Sequence, residues 1–275
     1  MKKPIISLTS DFGVQSQGIG IMEGAIIDIS PNAYVIHLMH GLPDFNTTAA
    51  SRTMETVKSL PVGYHVCVVD PGVGTKRRAI IIKAKRGDYL IGPDNGVLNL
   101  AANLLGGCKK VVEITNPKYM RQPVSPIFHG KSVFCPAAAY LSKGIAIEKF
   151  GKKLRFEDLV KPPYEEACMK GDSIEAKVIH VNKYGSLNLN ILQSMWDKFG
   201  VKKSQAVVFN IWGKRVKLPF VETFGDVPES TPLILKDSYG RIEVAINMGN
   251  FSKMYGANVG DVCLINKAPI RSQKA

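Results

Sequence analysis

The sequence has no C-x-x-C pair, no H-E-x-x-H, and no uninterrupted apolar run near the ~20 residues a membrane-spanning helix needs. Its five cysteines (Cys67, Cys108, Cys135, Cys168 and Cys263) are odd in number and dispersed, which argues against a disulfide framework and offers no zinc cage. The five histidines are also dispersed, so neither a metal nor another cofactor is expected. Only two tryptophans occur, Trp196 and Trp212, and neither has sequence neighbours suited to stacking on a base. There is no internal repeat and no low-complexity tract. The opening residues MKKPIISLTSDFG hold a basic pair but only a short apolar stretch, broken at once by Thr9, Ser10 and Asp11. They read as a first strand rather than a signal peptide, so membrane and secreted classes are disfavoured and the cytoplasm is the expected location.

One excess is present, a formal charge of +13, and it invites a nucleic-acid reading. The longest basic run, however, is only Lys76, Arg77, Arg78, and the other lysine pairs are scattered along the chain. A diffuse excess of this kind is solvated surface, not a groove for a phosphate backbone. No nucleic-acid partner is expected.

With 275 residues and 45% hydrophobic content, the chain can fill about two domains. Residues 5–8, 34–39, 64–69, 79–84 and 110–114 are apolar on consecutive positions, as strands covered on both faces should be. Helical patterns lie between them at 19–29 and 46–58, the second with Asn46 as its N-cap, then after Gly96 and from Pro136 to a stop at Gly144. After Pro162 and Pro163 the pattern changes to short strands at 174–181, 186–191, 206–212, 215–219, 233–236, 241–246 and 261–264, with almost no helix signal. The expected fold is α/β: an N-terminal mostly parallel sheet with helices on both faces (residues 1–164), then a C-terminal antiparallel β-barrel-like domain (165–275).

Polar and glycine-rich residues gather after the parallel strands, where open α/β sheets bind ligands. They are Thr9 to Gly13; His40 with Asp44, Phe45 and Asn46; Asp70 to Arg78; and Gly92 to Gly96. Taken singly, each is open to a plain structural use. Asp70 can stop a strand, His129 can be a core histidine, Arg77 surface charge, Phe45 a core plug and Asp11 a turn cap. Lys76 to Arg78 beside Gly74 could cradle a phosphate, although no Walker loop is present.

Seven segments taken together, TSDFG, VVDPGVGTKRR, IGPDNGVL, PIFHGKSVF, VNKYGSLNLNI, TFGDVP and SYGRIEVAIN, resemble the S-adenosylmethionine hydroxide adenosyltransferases, relatives of fluorinase and chlorinase, over nearly the whole length. The resemblance implies conversion of S-adenosylmethionine and water into adenosine and methionine by a homo-oligomer, a trimer, with sites between subunits. It places a catalytic trio on Asp70, Arg77 and His129, with Arg78 the alternative if the register slips by one. It puts Asp11 on the ribose hydroxyls, Phe45 in the wall around the nucleoside, and Asn182, Ser186, Ser238, Glu243 and Ile246 around adenine and the methionine end. It also argues against halogenation: the halide-using relatives carry an uncharged residue in place of Asp70 and a serine in place of Gly130. An ionised Asp70 would repel a halide at ~3–4 Å by several kcal/mol if poorly screened. Three positions depart from the family pattern. Ser16 stands in a commonly acidic slot, and Asn182 and Ser186 stand where Asp and Asn are usual. Fewer carboxylates near a substrate ammonium keep a second reading open, a non-catalytic or differently specific nucleoside-binding protein.

Overall fold

The structure, a computed structural model, describes residues 3–268. The chain forms two compact units, one ending at Pro163 and the other beginning at Tyr164.

In the first unit a seven-stranded sheet is built from β1 (Ile5–Ser10), β2 (Tyr34–Met39), β3 (Tyr64–Val68), β4 (Ala79–Ala84), β5 (Tyr89–Pro93), β6 (Cys108–Glu113) and β7 (Lys153–Leu154), in the order β2-β1-β3-β5-β4-β6-β7. The strands β2, β1, β3 and β5 run parallel, and β4, β6 and β7 extend the sheet antiparallel. Alternate residues of β3 explain its unbroken apolar run. Val66 and Val68 pack on one face with Ile6, Leu8 and helices α1 (Gln17–Ile27) and α4 (Cys135–Ser142). Cys67 joins the opposite core with residues of α2 (Thr47–Met54) and α3 (Asn99–Leu104). Both faces are therefore dry, which suits apolar side chains; the one buried polar residue of β3, His65, has both ring nitrogens partnered, by Ser7 at 2.8 Å and Asp88 at 3.1 Å.

Helix starts follow the local chemistry. Ser16 caps α1 by accepting from Gly18 N at 3.2 Å, and Asn46 caps α2 by accepting from Ala49 N at 2.9 Å. After β1 the chain crosses to β2 on one side, then returns to place β3 on the other. That reversal opens a crevice at the carboxyl ends of β1 and β3, the position where open α/β sheets seat ligands.

The second unit is an eight-stranded antiparallel sheet made of β8 (Cys168–Lys170), β9 (Ser173–Val181), β10 (Leu187–Leu192), β11 (Ala206–Ile211), β12 (Lys214–Pro219), β13 (Pro232–Lys236), β14 (Arg241–Ile246) and β15 (Val262–Lys267), with α5 (Gln193–Phe199) and α6 (Phe251–Tyr255). Its order is β12-β11-β15-β9-β10-β14-β13, with β8 paired to β9. A single bridge from Phe220 to Ile234 links the two ends of that path, so the sheet nearly closes into a barrel around Trp196, Phe209 and Phe251. Closure leaves little open strand edge. The β9–β10 turn requires Gly185: its φ is +80°, and a Cβ there would lie 2.1 Å from the Asn250 side chain.

Four elements escape sequence reasoning: β5, α5 and the short strands β7 and β8. The strand β5 holds only three residues before Gly92 and Pro93, and those two read as loop formers. The seven-residue α5 lacks a side-chain N-cap, and its clearest signal is the left-handed Gly200 at its end.

Candidate active site

Side chains from three of the parallel strands' loops meet in one cavity of about 300 Å³. Asp11 and Phe12 follow β1, Asp44 and Phe45 follow β2, and Asp70 and Val73 follow β3. Val68 lies on the strand itself, and Ile127, Phe128 and His129 close the remaining side. Phe12 and Phe128 meet edge to face, with ring centroids 5.4 Å apart. A cavity of this size with apolar walls and a few convergent polar groups suits a small ligand.

Asp70, Arg77 and His129 come together at this cavity. The turn from Asp70 to Thr75 is tied by Val73 N donating to Asp70 O at 3.2 Å and by Thr75 N donating to Gly72 O at 3.2 Å, and it folds the chain back on itself. Arg77 then donates to Asp70 through Nε at 3.0 Å and Nη2 at 2.5 Å, a two-pronged pair whose geometry a lysine could not reproduce. The second Nη2 hydrogen reaches His129 Nδ1 at 2.8 Å. This contact fixes the imidazole, because a guanidinium can only donate and Nδ1 must accept. A neutral His129 therefore carries its proton on Nε2. Burial, then the neighbouring Arg77 charge, lower the His129 pKa, opposed by Asp70. The Asp70 and Arg77 side chains are only 5% and 7% exposed, so their attraction is poorly screened by water. Arg77 Nη1 is buried and has no hydrogen-bond partner among the described residues.

Arg78 turns elsewhere. Its Nε donates to Asp94 at 2.8 Å and its Nη2 to Asp158 O at 2.7 Å, while the other Asp94 oxygen accepts from Val160 N at 3.0 Å. Arg78 thus anchors the segment around residue 158, and Arg77 is the arginine of the cluster.

His129 sits directly before a π-helical turn, Gly130–Phe134, that runs into α4. Such widened turns recur at functional sites. Ser132 Oγ steadies this one by donating to Phe128 O at 3.1 Å. Gly130 has no room for a side chain: a Cβ would meet Met22 Sδ at 2.8 Å, Phe128 Cε2 at 2.9 Å and Val68 Cγ1 at 3.2 Å. Gly130→Ser is expected to destabilise the protein by about 1–3 kcal/mol through overpacking, read as a lowered Tm.

The other residues singled out by sequence fall as follows. Asp11 Oδ2 accepts from Phe45 N at 2.9 Å, and Phe45 is 69% exposed at a backbone φ of +57°. Asn182 Oδ1 accepts from Tyr184 N at 2.9 Å and Ser186 N at 3.1 Å, so it caps its own turn. Its amide nitrogen lies 3.4 Å from Glu243, which Asn188 also approaches at 3.4 Å. Ser186 is buried, Ser238 is exposed in the turn after β13, and Ile246 packs in the barrel core. Sequence reasoning placed Phe12, Asp44 and Val73 in ligand-binding loops without giving them a role, and it missed Val68, Ile127 and Phe128 as cavity residues, although each adjoins a recognised motif. Among the described residues no group of three or more His, Cys, Asp or Glu is placed to hold a metal ion, and no helix is long and apolar enough to cross a membrane.

Fold and site together define an α/β protein with a carboxylate–guanidinium–imidazole cluster in a small-molecule cavity at the sheet's switch point, followed by an antiparallel barrel. The chain belongs to the SAM hydroxide adenosyltransferase family: the family's N-terminal domain matches residues 6–151 and its C-terminal domain residues 176–264. It is 34% identical over 263 residues to an (R)-S-adenosyl-L-methionine hydrolase of Salinispora tropica, covering 94% of this chain and 96% of that one. A protein of the same name from Thermus thermophilus is 32% identical over 267 residues, covering 94% and 97%. The crystal structure of an uncharacterized conserved protein from Thermotoga maritima superposes with a TM-score of 0.89 at 30% identity, over 95% of this chain and all of that one.

Proposed function

We propose that the chain hydrolyses the C5′–S bond of S-adenosylmethionine to give adenosine and L-methionine, with the (R) sulfonium that the relatives' names specify as substrate. The observation that carries this reading is the convergence of Asp70, Arg77 and His129 on a cavity lined also by Asp11 and Asp44. Three carboxylates favour a sulfonium cation there.

Water attacks C5′ in line with the departing sulfur. The C5′–O bond forms as C5′–S breaks, sulfur keeps the electron pair as a thioether, and one water proton is released. Asp70 is the group that accepts it. Arg77 occupies one lone pair on each carboxylate oxygen and leaves others free. His129 serves through its Nε2–H, as a donor that orients the water oxygen, because its Nδ1 is taken by Arg77. Asp11 takes the ribose hydroxyls with the lone pairs that Phe45 N leaves free, and Phe45 supplies a wall for the nucleoside. By the family resemblance Asn182, Ser186, Ser238, Glu243 and Ile246 serve adenine and the methionine end. The resemblance also supports a homotrimer, and the exposed apolar rim residues Val14, Phe45 and Ile127 are consistent with a partner covering them. Light scattering of the purified chain tests the trimer.

Incubation of the pure protein with S-adenosylmethionine should yield adenosine and methionine in equal amounts. 5′-Methylthioadenosine, or no turnover, would count against the proposal. Because burial and Arg77 hold His129 below its ordinary value of 6.5, kcat/KM should stay level through neutral pH. It should fall only on the acid side of that value, as protonation sets an imidazolium against the guanidinium. A decline beginning well above 6.5 would contradict this assignment.

A further inference from the structure

A chain of four polar side chains runs from the buried end of β1 to the surface of α1. Ser10 Oγ lies 2.7 Å from His40 Nδ1, His40 Nε2 lies 2.9 Å from His37 Nδ1, and His37 Nε2 lies 3.2 Å from Glu23 Oε2. Ser10 and His40 are buried, whereas Glu23 and His37 reach solvent. With both rings neutral, the proton order follows from the outer end. A carboxylate only accepts, so His37 carries its proton on Nε2 and accepts at Nδ1. His40 must then donate from Nε2 and accept at Nδ1 from the Ser10 hydroxyl. The Ser10 oxygen in turn accepts from Phe12 N at 3.5 Å. Burial, and then repulsion from His37 once that ring is protonated, push the His40 pKa down to about 4, so His40 itself stays neutral.

His40 also works through its backbone. Its carbonyl accepts from Gly13 N at 2.7 Å. Side chain and carbonyl together fasten the loop after β1 to the loop after β2, and the Asp11–Phe45 hydrogen bond of 2.9 Å fastens them again further on. Phe45 needs such fastening, since a left-handed backbone is one that a bulky residue keeps only when its surroundings hold it. Neither Ser10 nor His40 lines the cavity, so both act on its geometry and not on the ligand.

We propose that His40 is a positioning residue: through Ser10 and Gly13, and braced by His37 and Glu23, it sets Asp11 and Phe45 at the mouth of the cavity for the nucleoside. The inference deepens the hydrolase reading and rests on it for the identity of the ligand.

Two measurements on the full chain test it. At pH 8, long-range ¹⁵N–¹H spectra should show the His40 ring neutral, with its proton on Nε2. A proton on Nδ1 of His40, or a charged ring, overturns the proposal. In kinetics with S-adenosylmethionine, His40→Ala should raise KM ~10-fold while kcat changes much less, a cost typical of misplaced binding groups. His40→Asn, whose side-chain oxygen can replace Nδ1 as the acceptor for Ser10, should recover most of that loss. The surface variant His37→Ala, which removes only the brace, should move KM in the same direction by a smaller factor. Equal losses in kcat for all three variants, with KM unchanged, would overturn the positioning role. Adenosine affinity, measured alongside, separates the two ideas: wild-type protein without turnover, but with adenosine binding weakened in His40→Ala and restored in His40→Asn, refutes the hydrolase reading and leaves the positioning role standing.

Discussion

Asp70→Asn is expected to lower kcat for S-adenosylmethionine hydrolysis by ~10²–10⁴-fold, the range typical of losing a positioned general base. The substitution keeps the side chain's size but removes the charge. It also sets an amide N–H₂ against one of the two Arg77 donors that now meet Asp70. The attacking water then has no strong acceptor, and the buried guanidinium has no counter-ion. Adenosine affinity, measured by calorimetry on the same variant, should change little, because Asp11 and Phe45 belong to other loops. A non-catalytic nucleoside binder would show no such divergence between binding and turnover. The comparison thus decides between the two readings that the sequence left open.

The largest effect on stability is expected in the barrel. Arg241 on β14 is fully buried; it pairs with Glu166 through both terminal nitrogens, donates to Asn190 O at 3.0 Å, and lies over the Tyr164 ring at 5.5 Å. These contacts pin residues 164–167 to the outer face of β10 and β14, where Asn190 adds a hydrogen bond of 2.9 Å to Glu165 O. Arg241→Met should cost roughly 2–4 kcal/mol. That reaches below the ~3–5 kcal/mol typical of breaking a fully buried pair, since the Glu166 side chain is 32% exposed and can rehydrate. Both tryptophans lie in this unit, so urea unfolding of the full chain followed by tryptophan fluorescence reports on it directly. A shift in midpoint worth less than about 1 kcal/mol would place the pair among ordinary surface ion pairs.

The legible parts of the fold were those where one physical demand dominates. Burial on both faces gives β1 and β3 runs that no other element explains, and Asn46 announces the start of α2 through its own cap. The strand β5 and the helix α5 were illegible because tertiary packing, not local pattern, stabilises them. The candidate site shows the same division. Asp11, Phe45 and Asp70 stand in loops after parallel strands, where topology makes polar residues meaningful. Arg77 and Arg78 are indistinguishable in sequence, yet they reach different carboxylates, Asp70 and Asp94, once the turn before them folds. Ser16 and Asn182, the departures that the resemblance implies, have local duties as helix cap and turn cap. The chain from Ser10 to Glu23 could not be read at all, since it joins the ends of two strands to a helix and no spacing rule connects them.

The central claim is that water, not another nucleophile, attacks the ribose carbon. Turnover of S-adenosylmethionine by the wild-type protein in ¹⁸O-labelled water tests it most directly. The label should appear at the 5′-oxygen of adenosine, with none in methionine. An unlabelled 5′-oxygen, or a product still carrying sulfur at C5′, would contradict it.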